Sequence, residues 1–174
     1  MATILPDTRV VGATPGDPDL SDDARDLYAA LTEVLRVAQF RDRDRACCYD
    51  VSVTQCYGLK TVVDEGPLTV NDLASALYLD KSTASRLAGA LEDKGYVQRS
   101  RDPDDGRIVV LEATDAGRTL SARIEADLAA EYAELLQDVG PDVRRGMVEL
   151  LGRLGRSLAR RVEASGGSCC IVRE

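Results

Sequence analysis

Two short helices with a tight turn between them are the feature that most limits the folds open to this sequence. Thr69-Val-Asn-Asp72 is a typical helix cap and opens a short helix through Leu77. Asp80 caps the next helix, and Gly95 is placed to end it in a left-handed conformation. Two short helices separated by four residues predict a helix-turn-helix.

The second of these helices has an apolar side and a polar side. Its spacing predicts four residues that face inward: Ala84, Leu87, Ala90 and Leu91. Four others are expected to be exposed near its N-terminal half: Ser82, Thr83, Ser85 and Arg86.

A β-hairpin is predicted directly after this helix pair. Two short β-prone runs, 96–102 and 107–113, flank a Pro-Asp-Asp-Gly turn. A hairpin in that place is a wing.

Longer amphipathic helices are predicted on both sides of this unit. The first begins near Ser21 or Asp22, and a break is expected over 41–50. Its apolar stripe consists of Leu27, Tyr28, Leu31, Val34, Leu35 and Ala38. Ser52-Val-Thr-Gln55 matches a capping box and opens a helix that runs to about Val63 and stops at Gly66. Two more long helices are expected over 118–138 and 141–162.

Composition agrees with a mostly α fold that carries a small β-wing. Apolar residues make up 44% of the chain, but aromatic residues only 4%, so the core consists mainly of Leu, Val and Ala. The absence of His removes imidazole acid–base chemistry and imidazole metal ligands. Without a P-loop or a GxGxxG motif either, we expect no enzyme.

Charged residues are unevenly distributed along the chain. The net charge is −8, but six Asp against two Arg lie in residues 1–30, and residues 80–107 are neutral. Cations on particular elements can therefore still contact phosphates.

The N-terminus lacks a basic start and a long apolar segment, which predicts a cytoplasmic protein with reduced thiols.

The order of elements resembles the MarR family of winged-helix regulators over roughly residues 22–162. The similarity is most specific in DKSTASRL, in the turn Asp105-Gly-Arg107, and in the LxxTxxG pattern at Leu111, Thr114 and Gly117. It implies a transcriptional repressor that binds double-stranded DNA as an interlaced homodimer through its N- and C-terminal helices, on a pseudo-palindromic operator. The implied parts are a flexible arm 1–20, a dimerisation helix 21–46, a winged helix-turn-helix domain 47–117, dimerisation helices 118–162 and a flexible Cys-containing tail 163–174.

The predicted DNA contacts lie on the second helix of the pair and on the wing. Short hydroxyls and a long Arg suit phosphates and base edges, which predicts contacts from Lys81, Ser82, Thr83, Ser85 and Arg86. The resemblance implies that Arg107 enters the minor groove, and Asp105 is expected to orient it by an ion pair. Arg99 and Arg101 are expected to contact phosphates.

Five cysteines point to a thiol-based signal. Neighbouring thiols such as Cys47-Cys48 are too close for an ordinary disulfide but can bind one large, soft ion. A third sulfur from Cys169 or Cys170, on a Gly-Gly hinge, would complete a three-coordinate site for As(III) or Sb(III), with Cys56 as a possible supporting thiol. This arrangement resembles arsenite-responsive members of the MarR family.

Other interpretations of the cysteines and of the fold remain open. Two Cys pairs could instead bind Zn(II) with four ligands, or an activated thiol could sense peroxide or an electrophile. Buried Cys can also be small hydrophobes. A winged helix can bind protein rather than DNA.

Overall fold

A computed structural model describes residues 18–46, 49–102 and 105–164, and for 39–46 it describes the backbone alone. They form six helices and two strands: α1 (Leu20–Ala46), α2 (Val53–Glu65), α3 (Val70–Ala76), α4 (Lys81–Asp93), β1 (Val97–Arg101), β2 (Val109–Ala113), α5 (Asp115–Leu135) and α6 (Pro141–Ala164). The expected mostly α fold with a β-wing is confirmed. The chain divides into two units, Met1–Arg45 and Ala46–Glu174.

In the first unit, α1 extends further than the sequence indicated. The helix runs to Ala46, so the break expected over 41–50 is shorter than predicted. Arg is a good helix former that needs no burial, so a charged segment can continue a helix after its apolar stripe has ended. Most of the predicted arm, residues 1–17, lies outside the described residues.

Local capping signals set the beginnings of the helices in the second unit. Ser52 and Thr69 each form a reciprocal capping box, with Gln55 and Asp72 respectively, as the sequence suggests for the first pair. Thr114 caps α5 by accepting a hydrogen bond from the amide of Gly117. The predicted starts of α2 and α3 are confirmed. Helix α5 begins and ends three residues before the predicted bounds of 118 and 138, and α6 continues to Ala164.

The core of this unit lies between α2, α3, α4 and the hairpin. Its largest fully buried side chains are Leu59, Leu73, Leu91, Val97 and Leu111. On α4 the buried residues are Ala84, Leu87, Ala88 and Leu91, so the inward position predicted for Ala90 is taken by Ala88. Ala90 is half-buried, because the stripe that faces the core lies slightly further round the helix.

The two strands form an antiparallel hairpin in which Val97 pairs with Ala113 and Arg101 with Val109. Leu68, just before α3, forms an isolated bridge with Leu111 through backbone hydrogen bonds of 3.2 and 2.7 Å. This bridge fastens the base of the wing to the start of the helix pair. The predicted wing is confirmed, although Pro103 and Asp104 at its tip lie outside the described residues.

The long helices leave apolar side chains exposed. None of the α6 residues is buried, and Val143, Met147, Leu150, Leu151 and Leu158 are all more than 40% exposed. On α5, Tyr132 and Leu135 are also exposed, and α1 shows the same for Leu27, Tyr28, Val34 and Leu35. Within the three described segments, no helix is long and apolar enough to cross a membrane.

Candidate nucleic-acid interface

Asp80 organises the first turn of α4. Its backbone is extended, and its Oδ1 accepts a hydrogen bond of 2.9 Å from the amide of Thr83. The same carboxylate also accepts the hydroxyl protons of Ser82 (2.6 Å to Oδ1) and Thr83 (2.7 Å to Oδ2). These donors, first the hydroxyls of Ser82 and Thr83 and then the Thr83 amide, hold the pKa of Asp80 far below its usual value.

Arg86 is connected to this turn through Thr83. One guanidinium nitrogen, Nη2, donates to Thr83 Oγ1 at 3.1 Å. The Thr83 hydroxyl therefore donates to Asp80 and accepts from Arg86. Thr83 is half-buried rather than exposed as predicted, because it lies between these two partners.

The remaining predicted contacts on α4 face solvent. Lys81, Ser82, Ser85 and Arg86 are exposed, in agreement with the polar side predicted for this helix. Ser82 differs from Ser85 in that its hydroxyl proton is already donated to Asp80. The exposed donors of this surface are therefore the ammonium of Lys81, the hydroxyl of Ser85 and the guanidinium of Arg86.

On the wing, Asp105 stabilises the backbone of the turn and does not bond to the side chain of Arg107. Its Oδ1 accepts a hydrogen bond of 3.0 Å from the backbone amide of Arg107, and its own amide donates to Asp102 Oδ1 at 2.9 Å. No Asp105–Arg107 ion pair occurs in the described part of the chain, so that expectation was wrong. In a turn, an Asp carboxylate reaches the backbone amide two residues further on more easily than it reaches the long side chain of that residue. Arg107 is exposed.

The two arginines of β1 have intramolecular partners. Arg99 Nε lies 2.9 Å from Glu92 Oε2 on α4, which links the wing to the helix. Arg101 Nη1 donates to the carbonyl of Gly106 at 3.0 Å, across the hairpin. Their phosphate contacts stay predictions, and a contact from Arg99 would have to share its charge with Glu92.

Lys94, directly before Gly95, is a candidate residue that the sequence pattern does not single out. It caps the C-terminal end of α4, and its ammonium donates to the backbone carbonyl of Asp50 and to Gln55 Oε1, the latter at 3.2 Å. The ammonium also lies 3.6 Å from Asp50 Oδ1. The segment before α2 is thereby bonded to the end of α4. No local sequence signal reveals this link, because its partners are about 40 residues apart.

The predicted thiol site falls mainly on residues that are not described. Cys47, Cys48, Cys169 and Cys170 lie outside the described residues, and Cys56 is half-buried in α2. Among the side chains that the structure describes, no cluster of three or more acidic or Cys residues could hold a metal. Directly after the first Cys pair, Tyr49 donates its hydroxyl proton to Asp127 of α5, and Arg123 lies 5.7 Å from its ring centre.

Comparison with known proteins agrees with this geometry. The sequence model of the MarR family matches residues 51–109, which run from the residue before the α2 cap to the first residue of β2. Over these residues the chain carries a MarR-family domain. With this domain it is a DNA-binding transcriptional regulator and not an enzyme.

Relatives along the chain support this assignment. The HTH-type transcriptional regulator YxaD of Bacillus subtilis is 29% identical over 127 residues, which cover 73% of this chain and 89% of that protein. A putative regulatory protein for the hcr operon of Thauera aromatica is 29% identical over 150 residues, 81% of this chain and 90% of its own.

Solved structures have the same fold. A MarR family transcriptional regulator from Silicibacter pomeroyi is 25% identical, with a TM-score of 0.66 over 84% of this chain and 95% of that one. FabT of Streptococcus pneumoniae, crystallised in complex with DNA, has a TM-score of 0.68 over 78% of this chain and 96% of its own. At 19% identity, the second match shows the fold alone.

Proposed function

We propose that this MarR-family regulator binds a pseudo-palindromic operator as a homodimer, with α4 in the major groove and Arg107 in the minor groove. The observation that carries the proposal is the exposure of Lys81, Ser85 and Arg86 on one side of α4 together with exposed Arg107 on the wing. The Arg99–Glu92 ion pair joins the wing to α4, so the two basic regions are presented by one packed unit. FabT, which shares the fold, is seen in complex with DNA.

The dimer is supported by apolar surface that the chain does not cover by itself. Five exposed apolar residues of α6 recur at helical spacing along one stripe: Val143, Met147, Leu150, Leu151 and Leu158. Such an apolar stripe favours contact with a second copy. One winged module buries too little surface for tight, specific binding, whereas two modules can read two half-sites one DNA turn apart.

The interface on DNA is tested with Arg107→Ala. The probe is a duplex selected by the wild-type protein from random sequence, and binding is measured by fluorescence anisotropy. Loss of a minor-groove contact weakens operator binding, by about tenfold, while the circular dichroism spectrum stays the same. The matched control is Arg156→Ala on α6, which removes the same charge far along the chain from the winged unit. Equal affinities for wild type and Arg107→Ala would remove Arg107 from the interface.

For the signal, we propose that As(III) or Sb(III) bound by Cys47, Cys48 and a C-terminal Cys (Cys169 or Cys170) releases the operator. Three thiolates suit a three-coordinate soft ion. The link from Asp50 to Lys94 supports coupling, because the residues that follow this Cys pair are bonded to the end of α4. About 3 kcal/mol of coupling corresponds to roughly 150-fold weaker binding.

The signal is tested by titrating arsenite against the preformed operator complex. We expect release from wild type but none from Cys47→Ser or Cys48→Ser, both of which still bind the duplex. Cys56→Ser is the comparison variant for a thiol within α2. A normal response of the Cys47→Ser and Cys48→Ser proteins contradicts the metalloid proposal.

Two alternatives make different predictions in the same titration. A thiol-redox regulator releases DNA with peroxide and is restored by dithiothreitol, without selectivity for arsenite. A Zn(II)-binding regulator responds to zinc and gains one equivalent of it in native mass spectrometry.

A further inference from the structure

We infer that Asp80 is a positioning residue for DNA recognition, which acts through Thr83 on the guanidinium of Arg86. The inference rests on the proposed function, because it assumes that α4 is the helix that reads the major groove. It adds a residue that does not itself need to contact DNA.

The relay consists of two hydrogen bonds in series. Arg86 Nη2 donates to Thr83 Oγ1 at 3.1 Å, and Thr83 Oγ1 donates to Asp80 Oδ2 at 2.7 Å. A Thr hydroxyl has a single proton, so donation to the carboxylate leaves its lone pairs for the guanidinium. The direction of both bonds is thus fixed by the negative charge of Asp80. A long Arg side chain is held over the first turn of α4 before DNA arrives, which lowers the entropy lost on binding.

Capping alone does not require this arrangement. The amide of Thr83 is satisfied by Asp80 Oδ1 at 2.9 Å, and a Ser or Thr cap supplies the same acceptor. The second oxygen, Oδ2, serves the Thr83 hydroxyl. The carboxylate therefore has one oxygen for the helix end and one for the path to Arg86.

The same carboxylate also determines what the hydroxyls can offer to DNA. Ser82 and Thr83 both direct their protons to Asp80, at 2.6 and 2.7 Å, so their oxygens can act only as acceptors, and that of Thr83 already accepts from Arg86. Phosphate oxygens only accept hydrogen bonds, whereas the amino groups of adenine and cytosine donate them in the major groove. The first turn of α4 is thereby biased towards base amino groups and away from phosphates, and Arg86 remains the donor. A negative charge at this point also reduces unspecific attraction to the phosphate backbone.

The test compares Thr83→Val with Thr83→Ser. Valine keeps the shape and the β-branch but has no hydroxyl, and serine keeps the hydroxyl. Dissociation constants are measured at one salt concentration for the selected operator duplex and for an unrelated duplex, and thermal unfolding is recorded for each variant. We expect Thr83→Val to lower the ratio of specific to unspecific affinity about tenfold, and Thr83→Ser to restore most of that loss.

A double-mutant cycle with Arg86→Ala shows whether Thr83 acts through Arg86. In the Arg86→Ala background, Thr83→Val should cause almost no further loss, because the relay has no end group. Asp80→Asn keeps an amide oxygen for the Thr83 amide, but its NH2 group meets the Thr83 hydroxyl and turns the hydroxyl proton towards Arg86. This variant should bind the unrelated duplex more tightly and the operator less tightly.

Three outcomes would overturn the inference. An unchanged affinity ratio in Thr83→Val shows that the relay does not position Arg86. Additive losses in the cycle show that Thr83 acts independently of Arg86. Wild-type operator affinity in Arg86→Ala shows that α4 does not read DNA through this residue, and in that case the proposed interface fails as well.

Discussion

At the scale of single residues, Gly117 has a packing role that no larger residue can take without movement of the backbone. A Cβ atom at this position would lie 2.1 Å from the carbonyl oxygen of Tyr96 and 3.0 Å from its carbonyl carbon. That carbonyl also accepts the amide of Thr114 at 3.0 Å, just before α5 begins. The glycine therefore lets the start of α5 approach the residue that leads into β1.

We predict that Gly117→Ala lowers the free energy of unfolding by about 2 kcal/mol, because the new methyl group must push apart two backbone segments. Gly89→Ala is the matched control, since its Cβ has no neighbour within 4 Å and Ala favours a helix interior by up to about 1 kcal/mol. Urea unfolding followed by circular dichroism measures both. Equal stability of Gly117→Ala and wild type would show that the contact relaxes at no cost.

How far the sequence predicts single residues depends on how local their partners are. The caps at Ser52, Thr69 and Thr114 are predictable because each partner lies three residues further on. Lys94 is not predictable, because it bonds to Asp50, 44 residues earlier. The same holds for the protons of Ser82 and Thr83: the residue types indicate hydroxyls on an exposed helix face, but only the folded cap shows that Asp80 takes their protons.

At the scale of elements, α3 depends on its cap because it has only seven residues. A helix this short is not stable by itself in water and needs its terminal hydrogen bonds and its packing. Asp72 Oδ2 accepts both the hydroxyl (2.7 Å) and the amide (2.9 Å) of Thr69. These donors, the hydroxyl first, hold the pKa of Asp72 below its ordinary value. The ionised carboxylate is thus favoured in the folded protein.

We predict that wild type exceeds Asp72→Asn in stability by about 0.5 kcal/mol at neutral pH, a small value because water screens this exposed group. Since the folded pKa is the lower one, the advantage is complete above the unfolded pKa of about 3.9 and disappears as the pH falls through the folded value. Thermal unfolding between pH 7 and pH 3 measures this difference. Asp138→Asn, outside the helices, controls for the loss of one negative charge. An advantage that grows on acidification would contradict the sign.

Boundaries of elements were predictable where a capping residue or a turn marks them, and less so elsewhere. The starts of α2 to α6 follow Ser, Thr or Asp caps or a Pro at the first position. The end of α1 has no such mark in its charged segment, and the helix continues to Ala46. The choice between Ala88 and Ala90 as a core residue depends on how α4 rotates against α2 and α3, which is a property of packing and not of periodicity.

At the scale of the whole molecule, the proposed homodimer is expected to form through the exposed apolar stripe of α6. We predict that Leu150→Glu dissociates the homodimer, because it places a charge where apolar side chains of two copies would meet. Leu150 is 49% exposed in the single chain, so the substitution should leave the fold of the winged unit unchanged. Arg156→Glu on the other side of α6 is the matched control and should remain dimeric. Sedimentation velocity measures the mass of both variants.

Dissociation of the dimer should lower the affinity for the full operator without removing the ability of each winged unit to recognise a half-site. A monomer can occupy one half-site, so Leu150→Glu should bind the full operator with the affinity that wild type shows for an isolated half-site duplex. The affinity of two linked modules exceeds that of one module, typically by a factor of about 10² or more, because the second binding event is intramolecular. If Leu150→Glu is monomeric and still binds the full operator as tightly as wild type, one winged unit suffices and the palindromic operator is wrong. If it stays dimeric, the α6 stripe is not the contact between the two copies.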